Sequence, residues 1–331
     1  MRLPTNTEVS IVARHHWRFR IGIAVCLAGI ASVTASFVET AGAFGDWSAP
    51  ANLGEAVNSA FEDFLPELSK NGRSLYFASN RPGPYGGEDL WVSRRASPTD
   101  PWGPAENLGA VINGPFNERS PALSRDGHLL FFASNRPGGL GGFDIWVSWR
   151  AHTHDDFGWQ SPVHLGSGVN SPAGDFGPSY FENDDLGIPT LFFASSRPGV
   201  GGVDIHRSEL TAAGSFGPAA LVAELSTPQN DFRPTIRFDG LEVIFDSNRP
   251  APSDIAGVGL RDLWIAARRS PSDSWSVPQH LGNTVNGPFN DSLAALSGDG
   301  FTLVFTSDRP EGFGGSDLYE TSRPRKEVAN N

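Results

Sequence analysis

A phrase of roughly fifty-five residues recurs five times along this chain, and each copy carries an arginine in the setting SNRPG or a near variant: Arg81, Arg136, Arg197, Arg249 and Arg309. A unit this short cannot bury its own apolar face. Self-similarity at this period therefore leads to stacked supersecondary units, a solenoid or a propeller.

Each copy contains the same four pieces in the same order. A carboxylate opens a short strand, as in Asp63-Phe64-Leu65-Pro66-Glu67-Leu68. Tight turns follow at Asn71-Gly72, Asp126-Gly127, Asp239-Gly240 and Asp299-Gly300, residue pairs that tolerate positive φ and mark hairpins. The next run is apolar and aromatic, Leu75-Tyr76-Phe77-Ala78 in the first copy, and reads as a buried strand. A Gly/Pro-rich loop leads to a third strand, Asp89-Leu90-Trp91-Val92, and a Trp, Pro, Leu element such as Trp102, Pro104 and Leu108 supplies a fourth. Proline suits an edge strand, where no ladder donor is needed. Four strands per copy with an edge strand last describe a propeller blade.

The ends of the repeated region settle the closure. An orphan fourth element, Trp47, Pro50 and Leu53, precedes the first full copy, and the last copy stops near Arg323 after its third strand. The expectation is all-β: a five-bladed β-propeller of four-stranded antiparallel blades, each inner strand lining the channel and the N-terminal strand completing the last blade.

The phrase NLG-x-x-VN…E/D…P-x-LS-x-DG-x-x-LYFASNRPGG-x-GG-x-DLW resembles the WD40-like PD40 repeat of TolB-type periplasmic propellers, from Trp47 to about Arg323. TolB resembles a six-bladed ring with an extra α/β domain, and neither is legible here. The resemblance implies a periplasmic or secreted propeller, without TolB's own partners.

The first residues have another character. Arg14, Arg18 and Arg20 precede an uncharged stretch from Ile21 to Val38 and the small triplet Ala41-Gly42-Ala43. This reads as a signal peptide over residues 1–43, with residues 44–331 as one propeller domain; an uncleaved anchor is the alternative. The only cysteine, Cys26, lies in that segment, so a mature chain has no disulfide or thiol chemistry. Cleavage removes four arginines and two glutamates and takes the net charge from −12 to −14. Such acidity disfavours nucleic acid and anionic membrane, and no stable membrane insertion is expected after cleavage.

Two sets of polar residues invite attention. Asp63, Glu118, Asp175, Asp231 and Asp291 each lie ten residues after the Leu landmark, with the repeated arginine eighteen residues further on in four copies. Antiparallel register then places acid and arginine side by side, with Asp89 at the same end, so the arginine is expected to be gripped between two carboxylates. A Ca²⁺ in the channel is the alternative use of such a ring. Trp91, Trp146 and Trp264, at equivalent places, are expected to pack between blades.

The second set breaks the repeat: Arg119, Arg233, His206 and Asp246 are the ligand-binding candidates, because a symmetric scaffold needs no deviation for its own sake. The competing reading makes His206 a packed ring and pairs the arginines with neighbouring acids. The Ala251 to Arg261 stretch lengthens the fourth copy and the Glu182 to Asp185 stretch the third. No GxSxG, HExxH, phosphate loop or Cys/His cluster is present. The leading expectation is a non-catalytic binding propeller for an envelope protein, peptide or glycan. The alternative is a carbohydrate hydrolase or lyase with its site at the channel mouth, and a third reading is a structural scaffold.

Overall fold

The computed structural model describes residues 44–182, 188–253 and 259–326. Residues 1–43, expected to be a signal peptide, lie outside them, as do 183–187 and 254–258 of the two insertions.

Each blade is a four-stranded antiparallel sheet, in chain order in blades 1 to 4. In blade 1 the strands are Asp63–Leu68, Ser74–Ser79, Asp89–Arg94 and Glu106–Asn107. Blades 2, 3 and 4 begin with inner strands Glu118–Leu123, Asp175–Phe181 and Asp231–Ile236. Blade 5 consists of Asp291–Leu296, Thr302–Ser307 and Asp317–Ser322, completed by Ala51–Asn52 from the other end of the chain. The closing register pairs Ala51 with Glu320 and Asn52 with Tyr319. Inner strands contact one another around the ring, blade 5 against blade 1 included, so they line the channel as expected. The fold is a five-bladed β-propeller.

The second strands are almost wholly buried, and the apolar clusters each join two adjacent blades; Leu90 and Val92 of blade 1, for example, pack with Leu130 and Phe132 of blade 2. Blade faces are thus covered by the next blade, which is how a flat four-stranded sheet meets its hydrophobic requirement. Asparagines of the NLG-x-x-VN phrase add polar stitches: Asn113 accepts from Leu90 N at 2.8 Å and donates to Leu90 O at 2.9 Å.

Each inner strand carries a bulge at its third position, where Leu65, Ser120, Gly177, Arg233 and Leu293 all have positive φ. This left-handed kink suits glycine; four of the five blades hold it with a larger side chain.

A second arginine, absent from the expectations, braces the outer part of four blades. Arg95, Arg150, Arg268 and Arg323 donate through Nε to the carbonyls of Gly72, Gly127, Gly240 and Gly300 at 2.6–2.8 Å. Each lies over a tryptophan just ahead of the fourth strand, Trp102, Trp159, Trp275 and Trp47, at 4.0–4.5 Å from the ring centroid. Blade 3 carries Leu210 bridged to Phe216 instead, and it is also the copy without an Asx-Gly turn. In the sequence the Asx-Gly pair, the arginine and the tryptophan are present or absent together, as one device.

Candidate functional site

The acid that opens each inner strand is consumed by the fold. Asp63, Glu118, Asp175, Asp231 and Asp291 are fully buried. Asp63 bonds Arg81; the other pairs, to Arg136, Arg197, Arg249 and Arg309, are 2.5–3.1 Å long. The second oxygen of Asp63 accepts from Ser59 N at 2.6 Å and Ser59 Oγ at 2.8 Å. Arg81 in turn lies against Phe77 and Trp91, with centroids at 5.3 and 5.1 Å. The expected grip between two carboxylates is corrected: Asp89 accepts instead from Gly86 N at 3.0 Å and Asn107 Nδ2 at 2.8 Å, closing its own loop. Among the described residues no group of three acidic, His or Cys side chains is arranged to hold a metal ion.

The four repeat-breaking candidates separate. His206 is buried in the third strand of blade 3, stacked on Phe193 at 6.0 Å and within 3.2 Å of the Asp204 carbonyl through Nδ1, with burial lowering its basicity. It belongs to an interblade face and not to the channel. Arg233 crosses the channel itself: Nη1 donates to Leu293 O at 2.9 Å, and Nη2 donates to Pro66 O and, at 3.2 Å, to Pro121 O. One guanidinium from blade 4 thereby ties blades 5, 1 and 2 and plugs the bore. Beside it, burial pushes the Glu67 carboxyl up to about 7, against the opposing pull of the Leu123 N–H and the charge of Arg233.

Arg119 and Asp246 stand at the mouth where the inner strands begin. Arg119 forks onto Glu88, Nε and Nη2 donating at 2.7 and 2.8 Å, and lies 4.2 Å above the Phe143 ring. Asp246 takes the Arg261 fork on one oxygen and Leu293 N at 3.1 Å on the other, while Arg261 lies 4.1 Å above Phe232. Phe232 stacks on Phe176. These contacts fill the mouth over blades 2 to 4.

Over blades 5 and 1 the mouth is open. The inner-strand residues that crowd it are Phe64, Arg119, Phe176, Phe232 and, in blade 5, Ser292. Where the small residue stands there is a cavity of about 540 Å³, lined by Phe64, Ser292, Leu293, Thr306 and Arg261 and ringed by Glu62, Glu88 and Asp308. Arg233 and the Leu293 carbonyl it holds lie beneath, so the cavity is blind. Leu260 and Arg261, at the described end of the fourth-copy insertion, form part of its wall.

The three rim acids were missed by sequence reasoning, yet their signal was available. Glu62 stands where other copies have Asn117, Gly174, Asn230 and Asn290; Asp308 where they have Asn80, Asn135, Ser196 and Asn248; Glu88 where they have Phe143, Val203, Arg261 and Ser316. Their settings differ. Glu88 is forked by Arg119, and Asp308 accepts from Asn290 N at 2.8 Å and Nδ2 at 2.6 Å. Glu62 has no cation partner among the described residues, and its Oε1 lies where a side chain on Gly315 would begin, 2.3 Å from an added Cβ.

No protein-family model matches the sequence, and no curated protein matches it. Solved structures do match its shape. The catalytic domain of a Coprinopsis cinerea GH62 α-L-arabinofuranosidase superposes with TM-score 0.54 at 12% identity, covering 87% of this chain and 99% of that one. The Bacillus subtilis arabinanase Arb43A gives TM-score 0.54 at 15% identity, over 82% of this chain and 97% of that one. The TolB of Acinetobacter baumannii gives TM-score 0.48 at 14% identity, over 90% and 72%. These likenesses share the fold. The leading expectation of a non-catalytic propeller for an envelope protein or peptide is corrected by them, since the propellers that superpose at TM-score 0.54 are named as an arabinofuranosidase and an arabinanase. The physical reason is in the mouth: the expectation assumed five equivalent acids, whereas the rim acids of the cavity are differentiated.

Proposed function

We propose that the chain is a carbohydrate hydrolase whose site is the blind cavity over blades 5 and 1. The observation that carries this reading is the convergence of Glu62, Glu88 and Asp308, each a departure from its repeat, on the one sector of the mouth that Ser292 leaves open. Glycoside hydrolysis needs two carboxyl groups in different roles flanking the scissile bond. Glu62, unpaired with any cation among the described residues, serves as the proton donor to the leaving oxygen; Glu88, its charge offset by Arg119, serves as the carboxylate on the other side. Phe64 offers an apolar wall for a sugar face, and Asp308 and Asn290 offer hydroxyl partners. The scaffold is read as a PD40-type propeller exported to the periplasm or beyond, a reading supported by the repeat phrase and the N-terminal sequence.

The test is turnover of aryl arabinofuranosides and xylosides and of arabinan and arabinoxylan by residues 44–331. Release of reducing sugar that falls at least about 10²-fold in both Glu62→Gln and Glu88→Gln supports the reading. Turnover unchanged in both variants, or no turnover of any glycan, removes it.

A further inference from the structure

The opposite mouth holds a larger cavity, about 720 Å³, among the hairpin turns of blades 1, 2, 4 and 5. It opens on the same logic as the first. The residue before each Asx-Gly turn is Lys70, Arg125 and Phe238 in blades 1, 2 and 4 but Gly298 in blade 5. The Phe238 ring lies over that glycine, 2.2 Å from where a Cβ would stand, and so presents itself to the cavity.

The polar lining is balanced and incompletely used. Glu320 points Oε2 into protein with no hydrogen-bond partner, and its closest cation is Arg95 Nη1 at 4.0 Å. Burial pushes that carboxyl upward, against the pull of Arg95. Asp299 uses one oxygen on its own turn, accepting from Ser297 Oγ at 2.7 Å and Phe301 N at 3.1 Å. Lys70, exposed at the edge, makes no ion pair among the described residues. Donors thus come from Lys70, Arg95 and Arg125, acceptors from Glu320 and Asp299, and an aromatic ring from Phe238, whose centroid lies 6.0 Å from the Arg125 guanidinium.

We propose that this cavity is a second, non-catalytic binding site for a neutral oligosaccharide. A sugar hydroxyl both donates and accepts, so a wall that alternates cations with carboxylates satisfies it on both counts. Such a wall offers an anion no net charge, since acids and bases cancel. The aromatic face packs against the C–H surface of a pyranose or furanose ring. The site is independent of the hydrolytic reading, since Arg233 separates the two cavities along the bore.

The experiment is calorimetric titration of Ser292→Phe, whose catalytic-side cavity is filled, with xylotriose, arabinotriose, cellotriose and a galacturonic acid trimer. One molecule of a neutral trisaccharide should still bind, with Kd raised at least 10-fold by adding Phe238→Ala or Glu320→Ala and less by Glu320→Gln, which keeps an acceptor. Lys70→Ala, at an exposed position, provides the same reading should the Glu320 variants fail to fold. Absence of binding, binding of the galacturonic trimer alone, or binding indifferent to Phe238 and Lys70 would overturn the proposal. Hydrolysis plays no part in any of these outcomes, so the site can fail while the catalytic reading stands, and the reverse.

Discussion

Glu62 and Asp63 are adjacent in the chain and differ in every circumstance that matters. Asp63 is fully buried, one oxygen on Arg81 and the other on Ser59. Glu62 is half-buried, lacks a cation partner among the described residues and edges the cavity. The split recurs in milder form around the mouth: the acids that obey the repeat are fully buried in their own blades, whereas Glu88 and Asp308, which break it, are held by Arg119 and Asn290 at the edge of the cavity. A carboxylate's availability is thus set less by its location than by whether its neighbours were built to use it.

The comparison is broken most severely by a rim acid that proves dispensable. We expect Glu88→Gln to lower kcat by about 10²–10⁴-fold while the melting temperature stays within a few degrees, because Arg119 remains half exposed and solvated. The obedient acids should behave in the opposite way. Asp231→Ala removes the fully buried carboxylate that holds Arg249, leaves the guanidinium only Ser247 Oγ and Leu225 O, and should cost about 3 kcal/mol in urea unfolding, with kcat of the folded fraction unchanged. A Glu88 variant that unfolds, or an Asp231 variant that is stable and inactive, would reverse the assignment.

Glu67 sharpens the contrast, being an acid inside the bore that belongs to neither class. Its carboxyl is raised from 4.5 to about 7, so the folded protein holds a proton that the unfolded chain releases between those values. The stability this contributes is intact below about 4.5 and is lost as pH rises through 7, roughly 3 kcal/mol in all. Unfolding free energies measured from pH 4.5 to 8 should therefore decline in the native protein more than in Glu67→Gln, which keeps an oxygen for the Leu123 N–H. The smallest effect belongs to His206, a break in the repeat that lies away from both mouths. His206→Phe preserves the stack on Phe193 and should change stability by no more than about 1 kcal/mol and activity not at all.

The fold was legible because propeller architecture is written in periodic signals. The Asx-Gly turns, the aromatic second strands and the orphan element at Trp47 gave blade number, strand order and closure. The acid and arginine spacing likewise gave the braces, apart from Asp89, whose loop glycines provide nearer donors than the arginine does. What stayed hidden was depth. Arg233 was recognisable as an intruder, but its bridging of three blades depends on the curvature of the ring, which no single copy encodes. An Asn-to-Asp change at 308 and a Phe-to-Ser change at 292 look conservative or trivial in one dimension, and only their meeting across blades 5 and 1 gives them weight. The second arginine set, by contrast, was fully visible: it follows the first by fourteen residues in three copies, and it vanishes in the copy that also lacks the turn and the tryptophan.

Closure by Ala51–Asn52 against Asp317–Ser322 joins positions more than 260 residues apart, and blade 5 cannot be completed until both have emerged and met. Pairing of such long sequence separation is slow, and it comes after the local hairpins of blades 1 to 4 can form. Blade 5 is also the blade that supplies Ser292 and Asp308. The proposed catalytic cavity is therefore among the last features the chain assembles. A partly folded molecule carries the braces without the pocket, and a refolding time course should recover β-sheet signal before it recovers any turnover.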